Sequence, residues 1–329
     1  MKKQLSESDM YDWRVKALMN WIETNKNPDG SLSMEKLSKA GHLDQYHYLG
    51  LKTNDEVIEI LGLHEGMSIL DVGCGIGGPA RYIAWKSGCQ VTGIDIQPDM
   101  VAAGNAVSCM VYSLGEKVNL VSEDVTKTIF PEECLGEKVN LVSGDVTRTV
   151  FPEESFDAFV SLLVILHIED RASLFSSLFF SLKSGGGFLI EDMVTLDSFD
   201  PEQTRIAREV IGAPNLPSME EYRNHLTQAG FVDVHFQSLT PAWVQWCVNR
   251  SHQYEASKEE QIRMHGEKVF SQRSSFYSDV KNLFLSGKLG GFRITGRKPS
   301  YIETRLSKHR GNIQSTETTP SCCTVRIIE

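Results

Sequence analysis

The stretch Ile69-Leu70-Asp71-Val72-Gly73-Cys74-Gly75-Ile76-Gly77-Gly78-Pro79 constrains this chain more than any other segment. A mostly apolar strand runs into a glycine-rich loop, and Pro79 stands where the first turn of a helix begins. Glycines let the backbone approach a ligand closely, and the helix N-terminus offers free N–H groups. The glycines alone leave the ligand open. Gly73, Gly75 and Gly78 satisfy the dinucleotide pattern GxGxxG, whereas Gly73, Gly75 and Gly77 satisfy GxGxG. Asp71 separates the two, because a carboxylate two residues before the first glycine repels a pyrophosphate and attracts a zwitterion with an ammonium group.

Around this unit short apolar stretches alternate with helical ones. Strands are expected at Ser68–Val72, Gln90–Asp95, Val139–Ser143, Ala158–Leu163 and Gly187–Glu191. Helices are expected at Gly78–Lys86, Asp99–Leu114, Arg171–Leu182 and Ser218–Ala229. Such alternation predicts an α/β fold with a doubly wound, Rossmann-like sheet. Two later strands, Val232–Leu239 and Gly291–Arg297, flank a long helical insertion over residues 240–286. Residues 1–50 read as a helical segment in which Tyr11, Val15, Leu18, Met19 and Ile22 share one face, with Trp13 and Trp21 beside them, so that face must dock. Residues 51–299 form the main domain, and residues 300–329 are polar and expected to be disordered.

Composition narrows the function classes. Of 329 residues 41% are hydrophobic, and 43 acidic against 33 basic residues give a net charge of −10. That balance argues against nucleic acid, which is held mainly by Lys and Arg. The longest apolar run, Ala158–Leu166, is interrupted by Ser161 and falls short of the ~20 residues a transmembrane helix needs. Met1–Glu7 lacks the apolar core of a secretory signal. Seven cysteines without a CxxC pair read as reduced thiols of a cytoplasmic protein, neither a disulfide framework nor a metal site. Within that chain lies a tandem repeat: Leu114–Cys134 and Leu135–Ser155 differ at only four of 21 positions. Two copies are too few for a solenoid, so this is a duplication inside one domain.

Val91-Thr92-Gly93-Ile94-Asp95 ends in an acid that can accept both hydroxyls of a ribose, with Ile96 and Met100 placed to flank an adenine. Its spacing of 22 residues from Gly73 also suits NAD. The glycine motif, however, resembles the first motif of class I S-adenosylmethionine-dependent methyltransferases, especially small-molecule members that act on sterols, tocopherols and amines. Ser143-Gly144-Asp145-Val146 and Phe151–Asp157 resemble that family's third strand, its adenine-binding acid and the run into strand four. Leu182–Gly187 resembles its LKPGG turn with Ser184 in place of proline, and Ala229–Val234 the entry to its terminal antiparallel pair. The resemblance covers residues 40–298. It implies S-adenosyl-L-methionine as cofactor, held by Asp71, Gly73, Cys74, Gly75, Gly77, Asp95, Ile96, Met100, Gly144, Asp145, Val146 and Leu162. The repeat offers Asp124 as a rival to Asp145; Asp145 is preferred because Gly144 leaves room where Glu123 adds a charge. The spare Val118–Val121 can add beside the edge strand or loop out.

On the acceptor side the resemblance implies lids from residues 1–50 and 240–286, and a small-molecule methyl acceptor. Tyr46 and His47 are candidates in the first lid, and Trp243 and Trp246 in the second, where an aromatic pair serves equally as core. His167, after the fourth strand, is a candidate general base or a helix-capping histidine. The "LH" there, the helical insertion and Gly287–Phe292 resemble sarcosine/dimethylglycine N-methyltransferases. Aromatic rings suit a methylated ammonium, and Arg250 or Arg263 can pair with an acceptor carboxylate. N-methylation of a small amine or amino acid is the leading expectation, with C- or O-methylation of a sterol or other lipid second. A catalytically silent cofactor-binding protein and a nicotinamide oxidoreductase remain as alternatives.

Overall fold

Strands with apolar residues on both faces must be covered on both sides, and the centre of this protein is built that way. The computed structural model describes residues 7–112 and 139–303, with side chains for residues 14–111 and 139–303. In chain order the elements are α1 (Glu7–Asn25), α2 (Met34–Leu37), a 3-10 stretch (Ser38–Leu43), α3 (Leu51–Leu61), β1 (Ser68–Val72), α4 (Gly78–Ser87), β2 (Gln90–Asp95) and α5 (Pro98–Tyr112). There follow β3 (Val139–Ser143), β4 (Phe156–Leu162), α6 (Arg171–Ser181), β5 (Leu182–Thr195), α7 (Pro201–Arg205), a π turn (Ile206–Ile211) and α8 (Met219–Ala229). Then β6 (Val232–Ser238), α9 (Thr240–Ala256), α10 (Lys258–His265), α11 (Glu267–Leu285) and β7 (Leu289–Arg297) complete the chain.

The seven strands form one open sheet in the order β3-β2-β1-β4-β5-β7-β6. The first five are parallel, and β7 runs antiparallel between β5 and β6. Alternation along β1 sorts the two faces. Leu70 and Val72 join Phe159, Phe188 and Ile190 under α6 and α8, while Ile69 joins Val91, Ala80 and Ile83 under α3 and α4. Strand order reverses between β1 and β4, so the C-terminal ends of these strands open at a topological switch point, where α/β sheets bind ligands.

The strands expected from sequence are present, and the expected turn at Leu182–Gly187 lies inside β5. Phe156 pairs with Leu182 but Ala158 pairs with Gly187, so the glycines bulge out between two paired stretches instead of ending the sheet. Residues 300–303, expected to be disordered, are ordered: Glu303 bonds Arg297 at 2.7 Å, and Tyr301 N–H donates to Ser184 Oγ at 2.8 Å. Edge strand β3 is supplied by the second copy of the repeat. At Gly144 a side chain would place its Cβ 3.0 Å from Ile94 Cδ1, which disfavours the glutamate that the first copy carries there. Val118–Val121 and Asp124 lie outside the described residues.

The N-terminal segment docks through Leu18 and Ile22 of α1, both fully buried with Ile76, Tyr82, Met100 and Val107. Burial of that size contributes roughly 1.5–3 kcal/mol per side chain. Beneath it, Arg81 is fully buried. Its Nη2 bonds Asp44 at 2.5 Å, and its Nη1 donates to the carbonyls of Ile76 at 2.7 Å and Gly104 at 3.0 Å.

Gly78 is required by space. A Cβ there would overlap the carbonyl oxygen of Asp44, which is backbone and cannot swing aside. Gly78→Ala should therefore lift the Asp44 segment and lower stability by about 1–3 kcal/mol. Urea unfolding together with limited proteolysis around residues 26–45 measures this. Wild-type stability with an unchanged cleavage pattern would show that the segment is not seated on the helix start.

Candidate cofactor and acceptor site

β1 ends at Val72, and the loop that follows alternates through left-handed backbone at Gly73 (φ 71°), Gly75 (φ 54°) and Gly77 (φ 78°). A Cβ at Gly73 would also overlap Val164, so this glycine is demanded by contact as well as by conformation. The loop is laced to the end of β2: Gly73 and Cys74 N–H donate to the Ile94 carbonyl at 2.7 and 3.0 Å, and Gly75 N–H to Asp95 Oδ2 at 2.8 Å. Asp95 Oδ1 accepts from Gln97 N–H at 2.9 Å. The two strand ends thus present Asp71 and Asp95 to one place.

Electrostatics there are unusual. Asp71 is 2% exposed, and its Oδ2 has no hydrogen-bond partner among the described residues. Burial, then the Asp95 charge, push its pKa up to about 7. Burial also raises Asp95, against the N–H bonds from Gln97 and Gly75 and the His167 charge. Cys74 packs under Gly93, and its thiol is pushed well above its ordinary range by burial and then by both carboxylates. An orphaned carboxylate oxygen beside a glycine loop is a counter-charge awaiting a cation, which fits the ammonium of the expected cofactor.

At the neighbouring strand ends Ile96 is 63% exposed, a large apolar surface free for a flat ring, while Met100 is buried with its Cε 3.5 Å from the Cβ position of Gly75. Gly144 N–H extends the ladder by donating to the Asp95 carbonyl at 2.7 Å. Asp145 closes a tight turn, its Oδ1 accepting from Thr147 N–H at 3.0 Å and Thr147 Oγ1 at 2.7 Å. Oδ2 faces Arg148 Nε at 3.5 Å. Val146 and Leu162 are buried in the two sheet cores, so either would touch a ligand only at a core edge.

After β4, Leu163 adopts φ 61°, a conformation a leucine enters only against about 1–2 kcal/mol. It turns Val164 onto Gly73 and sends the chain to His167, whose side chain is exposed. His167 Nδ1 lies 2.8 Å from the Gly212 carbonyl, at the end of the π turn. A carbonyl there fixes the proton on Nδ1, which leaves the lone pair on Nε2.

The acceptor-side candidates divide. Tyr46 lies over the glycine loop, its Cδ2 3.9 Å from the Cβ position of Gly75, with the Arg14 guanidinium 4.7 Å from its ring centre. Trp246 meets Tyr48 at 4.5 Å and His42 at 5.4 Å between ring centres. Two expected contacts are corrected. Trp243 is 0% exposed, wedged between Tyr48, Phe284 and Gly291, where a Cβ would overlap it; it is core. His47 is buried with Nδ1 2.9 Å from the Tyr48 carbonyl and Nε2 3.1 Å from Gln45 Oε1, so both ring nitrogens are engaged within the segment. Burial lowers its pKa to about 4. Arg263 is exposed in the last turn of α10. Sequence reading did not single out His42, Arg14 or Val164. Among the described residues no three His, Cys, Asp or Glu side chains converge as a metal site, and no helix is long and apolar enough to cross a membrane.

Known proteins share this fold. A family described as a methyltransferase domain matches residues 70–190. Phosphoethanolamine N-methyltransferase 1 of Zea mays is 30% identical over 271 residues, 79% of this chain and 48% of that protein. A sterol 24-C-methyltransferase of Saccharomyces cerevisiae is 29% identical over 191 residues, 56% of this chain and 42% of that protein. The chain thus spans less than half the length of either relative. Among solved structures, a putative sarcosine dimethylglycine methyltransferase from Galdieria sulphuraria superposes with TM-score 0.65 at 17% identity, covering 88% of this chain and 98% of that one. Phosphoethanolamine N-methyltransferase 2 of Haemonchus contortus, in complex with phosphomonomethylethanolamine and S-adenosylhomocysteine, gives TM-score 0.64 at 22% identity over 76% of this chain and 53% of that one. With the strand order, the glycine loop and the paired acids, these likenesses show that the chain carries a methyltransferase domain on the fold of the class I S-adenosylmethionine-dependent methyltransferases.

Proposed function

We propose that this protein transfers a methyl group from S-adenosyl-L-methionine to the nitrogen of a small amine or amino acid. The observation that carries the amine is Tyr46: its ring lies on the glycine loop and already holds a guanidinium at 4.7 Å, so it is an aromatic face suited to a cation. The named N-methyltransferase relatives support the same acceptor class, while the yeast sterol relative supports a lipid acceptor as the second reading.

In this reading Asp71 faces the cofactor's ammonium and Asp95 its ribose hydroxyls. Ile96 and Met100 flank the adenine, Asp145 accepts from its amino group, and Gly73, Cys74, Gly75, Gly77, Gly144, Val146 and Leu162 shape the backbone and walls around it. The cofactor supplies a methyl already activated on a sulfonium. The protein's own task is to align the acceptor in line with that bond and to shut out water. His167 Nε2, with Nδ1 pinned by Gly212, is the base that takes the amine proton. Tyr46 and Trp246, on the two segments flanking the acceptor side, close over it. Residues 1–50 and 240–286 act as lids around the 51–299 domain, and the setting is cytoplasmic.

Three measurements test this. Asp95→Ala should weaken S-adenosylhomocysteine binding by about 1–3 kcal/mol in calorimetry. Asp145→Ala should weaken it too, while Asp124→Ala leaves it unchanged; the reverse pattern would move the adenine site to the first repeat copy.

The second is pH dependence. Asp71 is raised to about 7 from 3.8, so the native state without ligand favours its protonated form. The stability this gives is present at low pH and lost as pH rises through about 7. An ammonium favours the carboxylate, so binding must expel that proton. Affinity for S-adenosylhomocysteine should therefore rise between about pH 6 and pH 8, and Asp71→Asn should abolish the slope. A flat wild-type profile would remove Asp71 from the cofactor contact.

The third is a labelled-methyl screen against glycine, sarcosine, dimethylglycine, phosphoethanolamine and a sterol panel. Turnover of an amine is expected. Turnover of sterols alone would make the lipid reading correct, and tight cofactor binding with no turnover would make the protein catalytically silent.

A further inference from the structure

We infer that Arg171 is a positioning residue for His167: its guanidinium holds the segment whose Gly212 carbonyl keeps the imidazole proton on Nδ1 and leaves the basic lone pair on Nε2. This rests on the role of His167 as base given above and adds what sets that base. His167 ends a short 3-10 stretch, Ile165–His167, in which Ile165 and Leu166 are buried. The ring itself is exposed, and its Nδ1 meets the Gly212 carbonyl at 2.8 Å. A carbonyl only accepts, so its place decides which tautomer the ring keeps.

Gly212 closes the π turn in left-handed backbone (φ 79°) and opens the segment Gly212-Ala213-Pro214-Asn215-Leu216-Pro217. Two prolines fix φ along it, and Ala213 and Leu216 are buried in one cluster with Leu166. Ala213 N–H donates to the Ala207 carbonyl at 2.9 Å, and Thr195 N–H of β5 to the Pro217 carbonyl at 2.9 Å. Between these ties Arg171 Nη2 donates to the Asn215 carbonyl at 2.6 Å. His167 and Arg171 lie four residues apart, so one stretch of chain clasps the segment at two points, Gly212 and Asn215. In a segment this stiff, a shift at Asn215 is passed on to Gly212.

Arg171 is costly where it stands. It is the first residue of α6 and 2% exposed, at the helix end whose dipole favours an anion. Its Nε has no hydrogen-bond partner among the described residues. Burial lowers its pKa, opposed by Tyr222, Asp192, Glu221 and Glu169. A charge in such a place is offset by hydrogen bonds that an apolar side chain of the same volume cannot make. The grip on the Asn215 carbonyl is such a bond.

Nitrogen-15 NMR of the full chain labelled at histidine reads the tautomer, with His167→Gln identifying the His167 signals. In wild type the neutral ring should carry its proton on Nδ1. Arg171→Met keeps the stem and loses the donor; it should mix the two tautomers and lower kcat for the accepted amine by about tenfold or more, with KM and S-adenosylhomocysteine affinity within about twofold. Arg171→Lys, which keeps a charge and a donor, should restore part of both losses. Should Arg171→Met fail to fold, Arg171→Gln takes its place with the same two readings. An Nδ1–H tautomer that survives the loss of the guanidinium overturns the proposal, and so does a loss of turnover confined to KM. His167→Gln turning over amine at the wild-type rate overturns the base role instead, while the tautomer still decides whether Arg171 sets the ring.

Discussion

One guanidinium holds the working end of this protein together. Arg81 is fully buried, and its two Nη atoms reach the glycine-loop carbonyl of Ile76, the α5 carbonyl of Gly104 and the carboxylate of Asp44. The loop, α5 and the segment carrying Tyr46 thus share one buried charge. Removing Asp44 would leave that charge uncompensated, a change that costs about 3–5 kcal/mol in buried pairs. Arg293 does similar work across the sheet. It stands opposite Glu191 in the β5–β7 register and also reaches Glu56 of α3, so the antiparallel end of the sheet is tied to the helix before β1.

The acids at the strand ends set the electrostatics of the glycine loop. Burial raises the protonation of both Asp71 and Asp95, and the Asp95 charge adds to it at Asp71. The backbone amides of Gly75 and Gln97 offset part of that at Asp95. Under the helices His42 is held well below its ordinary range, by burial first and then by Arg14 and Arg250. A cation is therefore favoured at the strand ends and disfavoured beside His42.

The meeting of Asp71 and Asp95 was legible because each stands at or near the end of a strand, and a strand end is a local pattern. Asp71, Gly73 and Asp95 lie where strands of five and six residues stop, and the β1–β2 register does the rest. The aromatic cluster beyond Tyr46 is made by convergence. Tyr48, Trp243 and Phe284 are separated by most of the chain, and no periodicity links them. Trp243 and Trp246 differ by three positions on one helix, yet one is core and the other meets His42, because Gly291 of β7 admits only the first. The strain at Leu163 was likewise invisible, since leucine carries no mark of left-handed backbone. The bulge at Leu182–Gly187 escaped because glycines signal a turn equally well inside a strand pairing and at its end.

The repeat falls beside the outermost strand of the parallel array. β3 has one neighbour, β2, and its other edge pairs with nothing among the described residues. A 21-residue repeat that precedes β3 in the chain therefore bears directly on one strand pairing, β2–β3, among the described residues. The border strand is thus where a gene can gain or lose a whole segment in one event and still encode this domain, and the space at Gly144, whose Cβ position lies 3.0 Å from Ile94 Cδ1, suits the second copy to that place.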